Sequence, residues 1–329
     1  MRVVLLSGGV GGSRFTQGVI AATSPDDEVT VVANAADDLW LYGLRVCPDL
    51  DTLMYTLGGG IDTVRGWGRV DETWQAKDEL TAYGASQAWF GLGDRDLATH
   101  LVRTQMLRDG LGLTEATRRL CARWAPGTDL GRVALVPMTE DCVETWIATT
   151  VDGADADIHF QEFWIRHQAK VPVRSVVYRG VEAASPAPGV LEAINEADVV
   201  LLPPSNPIVS VGPILAVPGI REAIRSTTAP VIGLSPVISG RAVRGMADQL
   251  LAGLGIDSTA ASIARWYGSR TDDGVLDGWL VDESDAHLVD GVGSAGVTAR
   301  AVPLWMSSPA ATRQMAVEAL TLAGELRRG

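Results

Sequence analysis

The sequence predicts an α/β fold: a Rossmann-like, doubly wound, mostly parallel sheet with a mainly helical insertion. Three observations carry this. Val3 to Leu6 is a short, continuously apolar run, as expected of a parallel strand buried on both faces. A glycine turn, Ser7 to Ser13, joins it to a helix-forming stretch at Phe15 to Ala22. The same order of strand, loop and helix returns late in the chain. There Asp198 to Leu202 is apolar, Pro203 to Pro207 is a stiff loop, Ile220 to Arg225 a helix and Val231 to Leu234 another strand.

The remaining elements follow in order. Ser24-Pro25-Asp26-Asp27 makes a turn, and the β-branched run Glu28 to Ala33 a second strand. From about Asp71 to Trp124 the chain is polar and helix-favouring. Helices are predicted at Leu97 to Arg108 and Thr114 to Trp124, with Gly110 and Gly112 ending the first and Thr114 capping the second. Val133 to Pro137, Ile147 to Val151 and Val173 to Val177 read as further strands, and Met246 to Leu254 and Thr312 to Leu326 as closing helices. Residues 1–329 are expected to form one domain, with the sheet core in 1–60 and 130–329 and the helical insertion at about 61–129.

Composition narrows the function. Forty acidic residues against 27 basic ones leave a net charge of −13, which argues against a nucleic-acid-binding face. An anionic substrate must then meet locally placed arginines or a metal ion, since Lys77 and Lys170 are the only lysines. The three cysteines are far apart and form no CxxC, and the four histidines form no HExxH pair. No stretch approaches eighteen uninterrupted apolar residues, so the expectation is a soluble, cytoplasmic protein with no membrane partner.

Four segments have the makings of a site. The glycine turn Gly8-Gly9-Val10-Gly11-Gly12-Ser13-Arg14 stands between strand and helix, where amides and the helix dipole favour an anion. It is neither a GxGxxG, because Arg14 stands at the last position, nor a P-loop, because it has no lysine. Gly8, Gly9, Gly11, Gly12 and Arg14 are candidates for phosphate; the bland alternative is a turn that packs helix on strand. Asp37 and Asp38 follow the second strand, and Asp49 and Asp51 lie in the next loop. Carboxylates so placed would repel one another unless a divalent cation joined them, and Mg²⁺ suits an all-oxygen set shared with phosphates. Asp37, Asp49 and Asp51 are therefore candidate ligands, although Asp37 and Asp38 could equally cap a helix and Asp49 begin a turn before one at Thr52. In Trp89-Phe90-Gly91-Leu92-Gly93-Asp94-Arg95-Asp96, a ring could stack on a flat heterocycle, Arg95 hold a phosphate, and Asp94 or Asp96 a hydroxyl or metal water; a solvated helix N-terminus at Asp96 is the bland alternative. Finally, Ser205 and Asn206 in the proline loop could read a base or ribose, or simply shape the turn.

Taken together these segments resemble the CofD family of 2-phospho-L-lactate transferases, especially its actinobacterial FbiA branch. The stretches that carry the resemblance are Ser7 to Gly12, Asn34 to Trp40, Pro48 to Thr52, Gly93 to His100, His159 to Trp164, and Pro204 to Pro207 with Gly212-Pro213. The resemblance implies a single CofD-like domain, a Mg²⁺-dependent enzyme of deazaflavin coenzyme F-420 synthesis, and a homodimer. Such an enzyme moves a phosphorylated three-carbon acid from a guanosine diphosphate-linked donor onto the hydroxyl of FO, the riboflavin-like deazaflavin alcohol, releasing GMP. The actinobacterial branch implies the enolpyruvyl donor; the lactyl donor is the alternative. Asp51 and Asp49 are then the expected catalytic groups, and Asp51, Trp89, Phe90 and Asp94 the expected FO contacts. Two other classes compete. A nicotinamide oxidoreductase is opposed by Arg14 and Asn34, and a YvcK-like nucleotide-binding regulator is less similar at Asp49 to Asp51 and Gly93 to Asp96.

Overall fold

A computed structural model describes residues 1–243 and 245–327. Its centre is a seven-stranded sheet, parallel throughout. The strands are β1 (Arg2–Ser7), β2 (Glu28–Ala33), β3 (Val133–Pro137), β4 (Val199–Leu202), β5 (Val231–Leu234), β6 (Gly278–Asp282) and β7 (Thr298–Val302). Their order across the sheet is β7-β6-β5-β4-β1-β2-β3, so the winding reverses between β1 and β4. In such sheets the crevice at that reversal, beyond the carboxyl ends of the strands, is where ligands bind.

Alternation within β1 shows why the run is continuously apolar. Val4 and Leu6 enter the core on one face, and Val3 and Leu5 the core on the other. Helices cover the second face: α1 (Gly9–Ala22), α2 (Pro48–Leu57) and the C-terminal helix Pro309–Leu326. The last begins on Ser308, whose hydroxyl accepts the Ala311 amide at 3.1 Å, with Pro309 following at the first helical position.

Several boundaries differ from the sequence reading, each for a physical reason. The glycine turn is not a loop: Gly8 is the N-cap, and Gly9 to Gly12 already belong to α1. Nor are Asp49 and Asp51 in a loop. Pro48 opens α2, and both acids lie in its first turn, where the helix dipole favours negative charge. Three further helices, α3 (Gln75–Ala82), α4 (Asp94–Arg108) and α5 (Leu113–Ala122), lie between α2 and β3. The N-cap of α5 is Gly112 rather than Thr114, whose amide is instead bound by Glu140 at 2.9 Å. The strands expected at Ile147 to Val151 and Val173 to Val177 do not join the main sheet. They fall in a separate antiparallel sheet of Glu144–Val151, Ala154–His159 and Ser175–Arg179. Among the described residues no single helix is long and apolar enough to cross a membrane.

Phe15 is fully buried on α1 and anchors that helix, with its glycine N-terminus, onto the sheet. Phe15→Ala should cost about 3–5 kcal/mol of stability, read by urea denaturation. A loss under about 1 kcal/mol would mean that α1 is held by other contacts.

Candidate active site

The carboxyl ends of β1, β2 and β4 converge, and four segments meet there. Gly8 follows β1; Asn34, Asp37 and Asp38 follow β2; Pro204 to Asn206 follow β4; and α2 brings Asp49 and Asp51. The glycines explain how closely these pieces approach. A Cβ on Gly8 would lie 2.6 Å from Asp49 Oδ2, and one on Gly11 would lie 2.8 Å from the Pro204 carbonyl oxygen. Gly12 sits against the hydroxyls of Ser7 and Ser205, and Ser205 Oγ donates to the Gly8 carbonyl at 2.9 Å. The motif therefore packs α1 tightly against the β4 loop, and Gly8, which has no side chain, leaves the cap of the helix to a group from outside it.

Residues two apart on a helix point about 200° away from each other. That geometry divides Asp49 from Asp51. Asp49 turns toward α1 and β2: Asn34 Nδ2 donates to its Oδ2 at 2.9 Å, and the Gly9 amide also bonds to it. Burial lifts its carboxyl to about 6. Asp37 is beside it, and burial together with the Asp49 charge raises its carboxyl well above the usual range. Asp51 turns the other way, toward α4. Arg103 donates to both its oxygens, Nη1 to Oδ2 at 3.1 Å and Nη2 to Oδ1. Between the two lies Asp38, lifted by burial to about 6 despite Arg45 Nη2 at 3.1 Å.

Four carboxylates, all at most 8% exposed, thus face two guanidiniums, and two negative charges are left without a partner. Asp37 Oδ1 and both oxygens of Asp38 accept no hydrogen bond among the described residues. Asp38 Oδ2 has the Arg45 charge beside it, whereas Asp37 Oδ1 has no partner among the described residues, and a buried carboxylate oxygen of that kind suits a hard divalent cation. Asp37 and Asp49 are placed to hold it. A second group, Asp51, Asp96 and His100, also has potential ligand atoms within 4.8 Å of one another. A cation there would meet the Arg103 guanidinium.

Other expected site residues are committed elsewhere. The Asp94 carboxylate accepts the Thr73 hydroxyl at 2.6 Å and the amides of Gln75 and Ala76 at 3.1 and 2.9 Å, so it caps α3. Arg95 is half exposed and donates to the Val70 carbonyl at 3.1 Å, away from the acids. Asn206 Oδ1 accepts the amides of Ile208 and Val209, which leaves only its NH₂ to meet a ligand. Arg14 lines a cleft of about 170 Å³ with Val10, Gln17, Thr56 and Thr63. Trp89 and Phe90 meet edge to face at 5.9 Å, while Trp67 and Trp74 stand 6.1 Å apart beside Gly91. This aromatic segment leads directly into α4. Sequence reasoning missed Arg45, His100 and Arg103 as site residues. The spacing of Asp96, His100 and Arg103, at i, i+4 and i+7 on one helix face, is the signal that could have found the last two; Arg45 carries no such pattern.

Over residues 3–298 the sequence matches the profile of the family described as 2-phospho-L-lactate transferase CofD. The chain belongs to the CofD family. It is 58% identical over 327 residues to a phosphoenolpyruvate transferase of Streptomyces coelicolor, covering 99% of both chains. It is 54% identical over 326 residues to one of Nocardia farcinica, covering 98% of this chain and 95% of that one. The corresponding protein of Mycolicibacterium smegmatis is 52% identical over 334 residues, with 98% and 99% covered. Among solved structures, a UPF0052-family protein of Bacillus halodurans superposes with a TM-score of 0.63 at 16% identity, covering 97% and 98% of the two chains. That likeness shows a shared fold. Membership in the CofD family makes this protein a transferase.

The raised acids of this CofD-family site have a consequence for stability. Unfolded carboxyls of this kind titrate near 4, whereas folded Asp38 and Asp49 titrate at about 6. Between those values the folded chain holds protons that the unfolded chain has released. Their contribution is therefore full below about pH 4 and is lost as pH rises through 6. In chelator-treated protein, Asp49→Asn should gain on the wild type between pH 4.5 and 7, by up to about 2–3 kcal/mol. Melting curves at the two pH values measure this; an equal difference at both would show that Asp49 carries no buried charge.

Proposed function

We propose that this transferase moves the phosphoenolpyruvyl group of enolpyruvyl-diphospho-guanosine onto the side-chain hydroxyl of FO, releasing GMP. The observation that supports it best is the charge deficit at the switch point, where buried acids stand at the glycine N-terminus of α1 and Asp49 accepts its Gly9 amide. Transfer of a phosphoester between oxygens asks a protein chiefly for alignment and charge neutralisation, and this is the chemistry such a site can supply.

In this reading the glycine N-terminus of α1, with Arg14, faces the diphosphate, and Ser205 and Asn206 hold the guanosine from the β4 loop. The rings of Trp89 and Phe90 receive the deazaflavin. Asp37 and Asp49 would hold Mg²⁺, which when bound neutralises the diphosphate and polarises the phosphorus. Each oxygen of Asp51 retains a lone pair beyond the one given to Arg103. Asp51 uses it to take the proton of the FO hydroxyl as that oxygen attacks the phosphorus bearing the enolpyruvyl ester. The anhydride bond breaks, and its electron pair leaves with GMP. Asp94 and Arg95, committed to α3 and to Val70, act from outside this centre. A cytoplasmic homodimer belongs to the same reading.

Two experiments test it. Asp51→Asn preserves shape and removes the base, so kcat should fall roughly 10²–10⁴-fold with FO fluorescence still reporting binding. Near-normal turnover would take Asp51 out of the mechanism. The donors differ at a single carbon, planar in the enolpyruvyl and tetrahedral in the lactyl form, and a pocket separates such groups by only about 1–3 kcal/mol. With both donors in one tube, the enolpyruvyl product should dominate with a measurable lactyl minority, separated by the mass of two hydrogens. A mainly saturated product would move the chain to the phospholactate type.

A further inference from the structure

The buried face of α4 carries polar groups that the proposed transfer leaves without a task. His100 and Arg103 are each 1% exposed, too deep to meet a substrate. Arg103 Nη1, besides donating to Asp51 Oδ2, lies 3.3 Å from His100 Nδ1 and 3.4 Å from the Arg45 carbonyl oxygen. A guanidinium offers donors and no acceptor. For this contact to be a hydrogen bond, Nδ1 of His100 must accept and the ring proton must sit on Nε2; the same Nδ1 lies 3.7 Å from Asp51 Oδ2. Nε2 faces Asp96 Oδ2 at 3.5 Å, and the other oxygen of Asp96 is held by the Tyr55 hydroxyl at 2.7 Å. Tyr55 is itself fixed by Thr99 Oγ1 at 2.8 Å. The chain of contacts thus runs from the body of the protein, through Tyr55, Asp96, His100 and Arg103, to the carboxylate of Asp51.

We propose that His100 is a positioning residue: its Nδ1, held as an acceptor by the Asp96 contact on Nε2, sets the plane of the Arg103 fork and hence the direction of the free Asp51 lone pairs. A carboxylate on its own rotates about its last torsion with little preference. Two donors from one rigid guanidinium remove that freedom, and the guanidinium in turn needs acceptors on its outer edge to stay in plane. His100 Nδ1 and the Arg45 carbonyl are those acceptors. The inference rests on the reading of Asp51 as the group that meets the FO hydroxyl.

Two substitutions separate the ring's contacts. His100→Asn places an amide oxygen where Nδ1 was and so retains an acceptor for Arg103. His100→Gln reaches the Nε2 position toward Asp96 and leaves Arg103 without that acceptor. Asparagine should keep kcat within about threefold, whereas glutamine should lose roughly tenfold to a hundredfold in kcat with KM for FO and donor unchanged. Arg103→Lys, which has no fork, should resemble the glutamine variant. Equal losses in both His100 variants, no loss in either, or the reverse order would each overturn the proposal. Nitrogen NMR of histidine-labelled wild-type protein, with His100 assigned from its absence in the asparagine variant's spectrum, should show that ring protonated on Nε2. A proton on Nδ1 overturns the proposal without reliance on any variant folding. Failure of the underlying reading looks different: Asp51→Asn would then be active, whereas an inactive Asp51→Asn beside a fully active His100→Gln sinks the positioning role alone.

Discussion

Four aspartates buried around the reversal point of a parallel sheet, with two arginines to answer them, set the terms for the rest of this structure. Removing a carboxylate from water costs several kcal/mol unless charge or hydrogen bonds replace the lost hydration. Arg45 and Arg103 each come from a different element, the antiparallel hairpin of Leu39–Leu41 with Leu44–Val46, and α4, and each is buried to reach its acid. The segments outside the main sheet are thus tied to it electrostatically at this one place. The deficit that remains is also a binding potential. An ion that joins the folded chain and not the unfolded one adds stability in proportion to the logarithm of its concentration over its dissociation constant. Strain from unpaired charge in the free protein is the counterpart of affinity for a cation and its phosphates.

Much of the sheet was legible in the residues. Glu28 to Ala33, Val133 to Pro137 and Val231 to Leu234 are strands with the bounds expected, because β-branched runs between turn residues have few other uses. The starts of α2 and α4 were not. Pro48-Asp49 and Gly93-Asp94 carry turn residues, and the same residues open helices; only packing against the sheet decides between the two. Gly278–Asp282 and Thr298–Val302 were missed outright, the first opening on a glycine and the second, an edge strand, holding a partly exposed arginine. The antiparallel sheet escaped for a related reason: Ala154–His159 alternates aspartate with alanine and has little apolar signal.

At the site the limits are of another kind. Residue type announced the chemistry, since acids, glycines and an aromatic loop lay in the expected order. It could not announce which acids share a subsite. Asp49 and Asp51 are neighbours in sequence and were read as one ligand set, yet a helical backbone sends them to opposite sides of α2. Asp94 has the look of a ligand, and its role as the cap of α3 depends on amides of Gln75 and Ala76, about five turns of helix away along the chain. Sequence distance hides a cap of that reach.

The division imposed by α2 bears on how two substrates are brought to one phosphorus. On the Asp49 side lie the glycine N-terminus and Asp37, groups suited to a diphosphate and its cation. On the Asp51 side lie Arg103 and the α4 network, and the aromatic segment leads into that same helix. In the reading proposed above, a single turn of α2 carries the donor side and the acceptor side on opposite flanks, with no flexible linker between them. Relative placement of the two reactants is fixed by the rigidity of that turn, which Pro48 stiffens at its start and the buried Leu50 and Leu53 pin to the core. Alignment of reacting atoms is the larger part of what catalysis of phosphoryl transfer requires. A helix first turn with two acids two residues apart is a compact way to provide it.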